Sequence, residues 1–168
     1  MGFGSIVVLA LFAFVAITIF KGVRIVPQGY KWIVQRLGKY HTTLNPGLNF
    51  VIPYVDEVAY KITTKDIVLD IPSQEVITRD NAVLVMNAVA YSNITTPEKA
   101  VYAIENYSWA IQNLVQTSLR SIVGEMDLDD ALSSRDHIKA KLKAAISDDI
   151  ADWGITLKTV EIQDIQPS

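Results

Sequence analysis

The first hydrophobic block runs without interruption. No charged side chain occurs between Gly2 and Phe20, and Phe3 to Phe20 reads FGSIVVLALFAFVAITIF. Ser5 and Thr18 are its only hydrogen-bonding side chains, and both can bond back to helix carbonyls. As a helix, residues 2–20 span about 28 Å at a rise of about 1.5 Å per residue, close to the hydrocarbon thickness of about 30 Å. The pattern predicts a membrane-crossing helix over 1–21, with Phe3, Ile6, Leu9, Phe12, Phe14, Ile17 and Phe20 as the residues that meet lipid. A cleaved secretory leader fits less well, because nothing basic precedes the run and bulky Ile17, Ile19 and Phe20 stand where small residues are needed. A buried core helix is usually amphipathic, whereas this one is apolar on every side.

Downstream the period changes. Val23-Arg24-Ile25-Val26 and Tyr30 to Leu37 are rich in β-branched and aromatic residues and are separated by Pro27-Gln28-Gly29, which predicts two short strands. Gly38-Lys39-Tyr40 and Asn45-Pro46-Gly47 read as turns. The apolar run Leu48 to Val55 contains Pro53, which cannot donate to a ladder, and so reads as an edge strand or an apolar loop. IVLDI, QEVIT and AVLVMNAVAYSNI follow between Ile67 and Ile94, the last with two mostly apolar faces, as a central strand has. Thr96-Pro97-Glu98 opens a helix to about Ile104. Ser108 is placed to open a second helix, with Ile111, Leu114, Val115, Leu119, Ile122 and Val123 on one stripe and Gly124 as its stop. After a short DLDDAL turn, Ser133 or Ser134 caps a helix with the stripe Ile138, Leu142, Ala145, Ile146, Ile150 and Trp153, which Gly154 ends. The final strand, Ile155 to Ile165, changes phase, which predicts a bulge near Lys158-Thr159. Strands, then helices, then a closing strand argue for an α+β domain over 22–168 with a mainly antiparallel sheet and packed helices.

Charge adds direction. Residues 1–55 carry five bases and no acid, whereas the rest of the 168 residues carries a charge of −8, for a net −3. Lys21 and Arg24, beside the apolar helix, are candidate lipid-headgroup ligands. The basic flank places the body of the chain in the cytoplasm and the N-terminus outside. The acidic body disfavours nucleic acid.

Catalytic chemistry has little to work with. The chain has no cysteine and two histidines, and His41 and His137 share no ligand motif. Phosphate loops, nucleophile elbows and zincin motifs are missing, and no cofactor is implied. Asp127, Asp129 and Asp130 lack the glycine and glutamate of a calcium loop. Asp148, Asp149 and Asp152 lie at the unfavourable end of a helix dipole and read as a solvated acidic face, with a basic neighbour as the alternative. A membrane hydrolase would need a nucleophile and base that neither histidine supplies by motif. A monomeric single-pass ligand sensor is the other alternative to a scaffold.

The order of Val26-Pro27-Gln28-Gly29, Gln35-Arg36-Leu37-Gly38-Lys39-Tyr40, Pro46-Gly47-Leu48, Asp70-Ile71-Pro72-Ser73-Gln74-Glu75-Val76 and Asp80-Asn81 resembles the stomatin/prohibitin/flotillin (SPFH, or band 7) family. Leu119-Arg120-Ser121, Leu132-Ser133-Ser134-Arg135-Asp136 and Trp153-Gly154-Ile155 extend the resemblance, which is nearest to the bacterial paraslipin (QmcA-like) branch. Thr156 and Lys139 depart from the usual pattern, which has a basic and a small residue there. The resemblance implies a non-enzymatic homo-oligomeric scaffold of the bacterial inner membrane. Its rings or cages organise microdomains and regulate FtsH-type AAA proteases, with NfeD-type membrane proteins as further partners. It also implies a continuation into a heptad-patterned helix and an apolar tail, so the chain is expected to be part of a longer protein. If the anchor ends near Lys21, the strands that follow must lie against the headgroups. That makes Leu48, Phe50, Ile52 and Tyr54 candidates for a second lipid contact, although a core strand would explain the same residues.

Overall fold

The computed structural model describes residues 2–168, which separate into two units, one ending at Thr64 and the other running from Lys65 to Ser168.

The first unit opens with α1 (Phe3–Lys21), a helix with no buried residue. Its internal hydroxyl bonds back, with Thr18 Oγ1 donating to the Phe14 carbonyl at 2.8 Å. Five strands follow: β1 (Val23–Val26), β2 (Tyr30–Arg36), β3 (Lys39–Leu44), β4 (Gly47–Phe50) and β5 (Asp56–Thr63). They form a two-stranded ribbon, β1-β4, and a three-stranded sheet in the order β3-β2-β5. Val26, Val34, Leu44 and Val51 make the core, flanked by Tyr30, Trp32 and Val58. Two of these strands depart from the sequence reading. Lys39-Tyr40 is not a turn: the loop is Leu37-Gly38 alone, both with positive φ, and Arg36 pairs directly with Lys39. All β3 residues but the buried Leu44 are polar or aromatic, so they lack an apolar alternation, and the strand is bulged at His41, which falls between the Val34–Thr42 and Gln35–Tyr40 pairs. The Leu48 to Val55 run is neither one strand nor core: β4 ends at Phe50, and of this run only Val51 is buried.

An ion pair holds the far end of this unit. Arg36 Nε donates to Asp56 Oδ1 at 2.7 Å and Nη2 to Oδ2 at 3.2 Å, across the register pair Arg36–Asp56 of β2 and β5. The same carboxylate accepts from the Ile52 amide at 2.9 Å. With its side chain only 3% exposed, Asp56 is held down to a pKa of about 2, chiefly by the Arg36 guanidinium.

The second unit is a β6-β7-β8 antiparallel sheet with four helices inserted before its last strand. β6 (Ile67–Ile77) joins the two predicted pieces into one strand, with Pro72 and Ser73 outside the register, where a residue without an N–H is tolerated. β7 (Val83–Ile94) is central, and β8 (Ile155–Pro167) pairs with it through the anticipated bulge: Tyr91 faces Thr159 and Ser92 faces Leu157, leaving Lys158 over. The bulge shifts the phase so that Ile155, Leu157, Val160 and Ile162 are all buried.

α2 (Pro97–Tyr102) ends before Ile104. α3 (Tyr107–Gly124) starts earlier than Ser108: Asn106 is the cap, its side chain accepting from the Trp109 amide. Gly124 is its last helical residue, with Glu125 as the cap. α4 (Leu128–Ser133) takes its N-terminal bond from outside, the Leu128 amide donating to Asp80 of the β6–β7 turn at 3.2 Å. Ser134 stands at the cap of α5 (Arg135–Ala151) but makes no side-chain bond there. Ile111, Val115, Leu119 and Val123 of α3 and Ile138, Leu142, Ile146 and Ile150 of α5 are buried at strict i, i+4 spacing. Ala145, on the anticipated stripe, is exposed. Asp148, Asp149 and Asp152 are exposed too, and among the described residues none pairs with a base.

Two predictions follow from these contacts. Gly154 has φ +70°, and a Cβ there would meet the Thr96 carbonyl oxygen and lie 2.8 Å from Lys99 Cβ. Gly154→Ala should therefore destabilise by more than about 1 kcal/mol, whereas Gly124→Ala, whose Cβ meets only the Ile77 carbonyl at 3.7 Å, should be neutral or better. Thermal midpoints of the two variants check this, and equal midpoints contradict it. For Asp56 the lowered folded-state pKa means a stabilisation that is present above the ordinary carboxylate value of 3.8 and lost as pH falls toward about 2. The stability difference between the native chain and Arg36→Gln, read from urea midpoints, should shrink across that window. A difference independent of pH there contradicts the assignment.

Candidate functional site

The distinctive surface begins where α1 ends. Phe3, Ile6, Leu9, Phe12, Phe14, Ile17 and Phe20 are all exposed, Phe20 by 80%, so the helix presents hydrocarbon in every direction. Only Gly22 separates α1 from β1.

In the β1–β4 ribbon, Val23 pairs with Phe50, Arg24 with Asn49, Ile25 with Leu48 and Val26 with Gly47. Directly opposed residues share a face and neighbours alternate. Val26 therefore points into the core, and Val23, Ile25, Leu48 and Phe50 lie together on the opposite face. Ile25 is 69% exposed, Phe50 67% and Leu48 63%. Sequence reasoning singled out Leu48 and Phe50 but missed Ile25, because a four-residue strand is too short for its alternation to assign a face.

Beyond the ribbon, Ile52 and Tyr54 are exposed on the loop that Asp56 closes. The Asp56 amide donates to the Ile52 carbonyl at 2.9 Å and the Leu37 amide to the Val55 carbonyl at 3.1 Å. Tyr54 has φ +75°, a left-handed conformation that costs a non-glycine residue of order 1 kcal/mol. The bonds on either side hold it there, and its ring projects into solvent, 71% exposed.

The predicted headgroup ligands lie on the same rim. Lys21 Nζ stands 5.9 Å from the centre of the Tyr54 ring. Arg24 Nη1 donates to the Lys21 carbonyl at 2.5 Å and to the Val23 carbonyl at 2.9 Å, so its positive charge covers the last carbonyl of α1, where the helix dipole favours it, and the first of β1. The site is thus an apolar rod continuing into an apolar ribbon face, with two cations at their junction. Such a surface can partition into lipid and neutralise phosphate.

Among the described residues no comparable arrangement of reactive groups is present. Among the described residues no group of three or more His, Cys, Asp or Glu side chains could hold a metal. His41 and His137 are exposed and far apart in sequence, on β3 and α5. Asp127 pairs with Arg79 at 2.8 Å, and Asp129 and Asp130 occupy the first turn of α4.

Comparison with known proteins agrees with the motif order. The model of the SPFH domain/Band 7 family matches residues 24–168. An uncharacterized protein of Methanocaldococcus jannaschii is 40% identical over 160 residues, covering 95% of this chain and 77% of the relative. An uncharacterized protein of Mycobacterium tuberculosis is 35% identical over 164 residues, 98% of this chain and 43% of its own length. Human mitochondrial stomatin-like protein 2 is 39% identical over 140 residues, 83% of this chain and 39% of its own. The chain therefore spans less than half of the mycobacterial and human relatives. With a family model over nearly its whole length and a mixed α+β architecture of antiparallel sheets and packed helices, the chain belongs to the SPFH domain/Band 7 family.

Proposed function

We propose that this chain is the anchor and membrane-proximal part of a non-enzymatic scaffold. α1 crosses the bilayer, and the exposed face of the β1–β4 ribbon, with Ile52 and Tyr54, enters the leaflet on the C-terminal side of the helix. The observation that carries the reading is the continuity of exposed apolar surface from Phe20 through Ile25, Leu48 and Phe50.

Magnitudes decide which force dominates. Each of Ile25, Leu48 and Phe50 leaving water gains about 1.5–3 kcal/mol, whereas each near-surface cation gains about 1 kcal/mol from anionic lipid. Lys21 and Arg24 therefore orient the surface, and the apolar residues and α1 hold it. Salt alone should not release the chain from vesicles.

The basic flank supports an orientation with the N-terminus outside and both folded units in the cytoplasm, and the resemblance to the paraslipin branch makes a bacterial plasma membrane the proposed location. Membership of the SPFH domain/Band 7 family is consistent with a scaffold, and the reading extends it to many copies packed laterally into rings or cages that gather lipids and restrain membrane proteins. FtsH-type AAA proteases and NfeD-type membrane proteins are the proposed clients.

The ribbon contact is open to a direct test. Phe50→Asp combined with Ile52→Asp places two carboxylates on exposed positions, so folding should be retained. In the vesicle-bound chain the double variant should cleave faster within 48–54 under limited proteolysis while α1 stays in the membrane pellet. An unchanged cleavage rate, or loss of folding, contradicts the surface reading.

A further inference from the structure

We infer that Gly22 locks the anchor helix and the β1–β4 ribbon into one rigid body, so that the tilt and height of α1 fix how deeply the ribbon sits in lipid. The inference rests on the membrane reading above and deepens it by naming the positioning residue.

The junction has no slack. Lys21 is the last residue of α1 and Val23 the first of β1. The Gly22 amide still belongs to the helix, donating to the Thr18 and Ile19 carbonyls at 3.1 Å each. Its carbonyl belongs to the ribbon's far side, accepting from the Val51 amide at 2.7 Å. One residue thus terminates the helix and ties it to the end of the other strand, while pairing starts at Val23–Phe50 one position later.

The closeness of that tie explains the residue type. A Cβ on Gly22 would stand 2.5 Å from the Val51 carbonyl oxygen and 3.5 Å from Pro53 Cδ. The backbone conformation itself, φ −83° and ψ −9°, suits any residue, so glycine is required here by proximity and not by dihedral angle. Two further contacts span the joint. The Arg24 guanidinium bonds to the Lys21 and Val23 carbonyls, and Lys21 lies over the Tyr54 ring. A hinge would allow the ribbon to settle at its own depth, whereas this joint transmits the orientation of the helix. Copies anchored this way present their ribbons at one common height, which edge-to-edge packing needs.

The chain has no cysteine, so a nitroxide can be placed at one chosen position at a time. Phe12→Cys reports on the anchor and Phe50→Cys on the ribbon, in the full chain reconstituted into phosphatidylethanolamine/phosphatidylglycerol vesicles. Relative accessibility to oxygen and to a nickel chelate gives the depth of each label. With Gly22 in place both labels should be lipid-side. In vesicles of longer acyl chains the two depths should shift together; adding Gly22→Val should leave the Phe12→Cys label in lipid and let the Phe50→Cys label settle at its own depth, no longer following the anchor. Insertion of two glycines after Gly22, which adds slack without a clash, should do the same, and it decides the matter if Gly22→Val fails to fold. A ribbon label whose depth still follows the anchor's in the folded variants overturns the rigid joint and leaves the membrane reading intact. A ribbon label that is water-side even with Gly22 in place overturns both the joint and the ribbon contact, and a water-side anchor label overturns the proposed function itself.

Discussion

The solvation of α1 is the constraint on which the rest depends. Nineteen residues form a helix that buries none of its side chains, and every large apolar residue on it would order water at a cost. The backbone is satisfied internally, and Thr18 closes its own hydroxyl onto Phe14. Between Ser5 and Lys21 no other polar side chain is left for water to hydrate. Such a rod is unstable in water and stable in hydrocarbon.

The unit that follows is built around that fact. A soluble domain of this size would turn both faces of a ribbon to good use by covering one and wetting the other. Here the covered face holds Val26, in the core with Val34, Leu44 and Val51, and the other face is Val23, Ile25, Leu48 and Phe50 in place of the polar residues expected on a wet surface. The loop after the ribbon is fixed as firmly as the strands. Asp56 binds Arg36 and the Ile52 amide with one carboxylate, and the strained Tyr54 is held between those bonds. Rigidity is spent where lipid would be met, which is the opposite of a flexible tether.

Much of this was legible from residue order, and the gaps have physical causes. The stripes of α3 and α5 repeat over four turns, so Ile111 to Val123 and Ile138 to Ile150 announced themselves. The bulge at Lys158 was visible because a period of two cannot accommodate Leu157 and Val160 on one face without an extra residue. Short or polar strands carried no such signal. β3 and β5 were missed because their residues neither alternate cleanly nor stay apolar: β3 is half polar, and β5 alternates between Lys, Glu and aliphatic residues with an interruption at Ala59, which falls outside the register with β2. Caps were misplaced where a nearer competitor existed, Asn106 accepting from Trp109 ahead of Ser108. The Asp80 bond to the α4 terminus and the Arg36–Asp56 pair join residues far apart in sequence, so local pattern could not reveal either. At the site, the anchor and Leu48, Phe50, Ile52 and Tyr54 came from hydropathy, whereas Ile25 and Gly22 needed the strand pairing.

Hydrogen–deuterium exchange of the whole chain, with and without lipid vesicles, tests the central claim most directly. Amides in 20–26 and 48–54 should gain protection from the bilayer together with those of α1, while the α3, α5 and β7 segments exchange at the same rate in both conditions. Protection confined to α1, with 48–54 exchanging as fast on vesicles as in detergent-free solution fragments of the same loop, would contradict a lipid-embedded ribbon and leave a simple tethered domain.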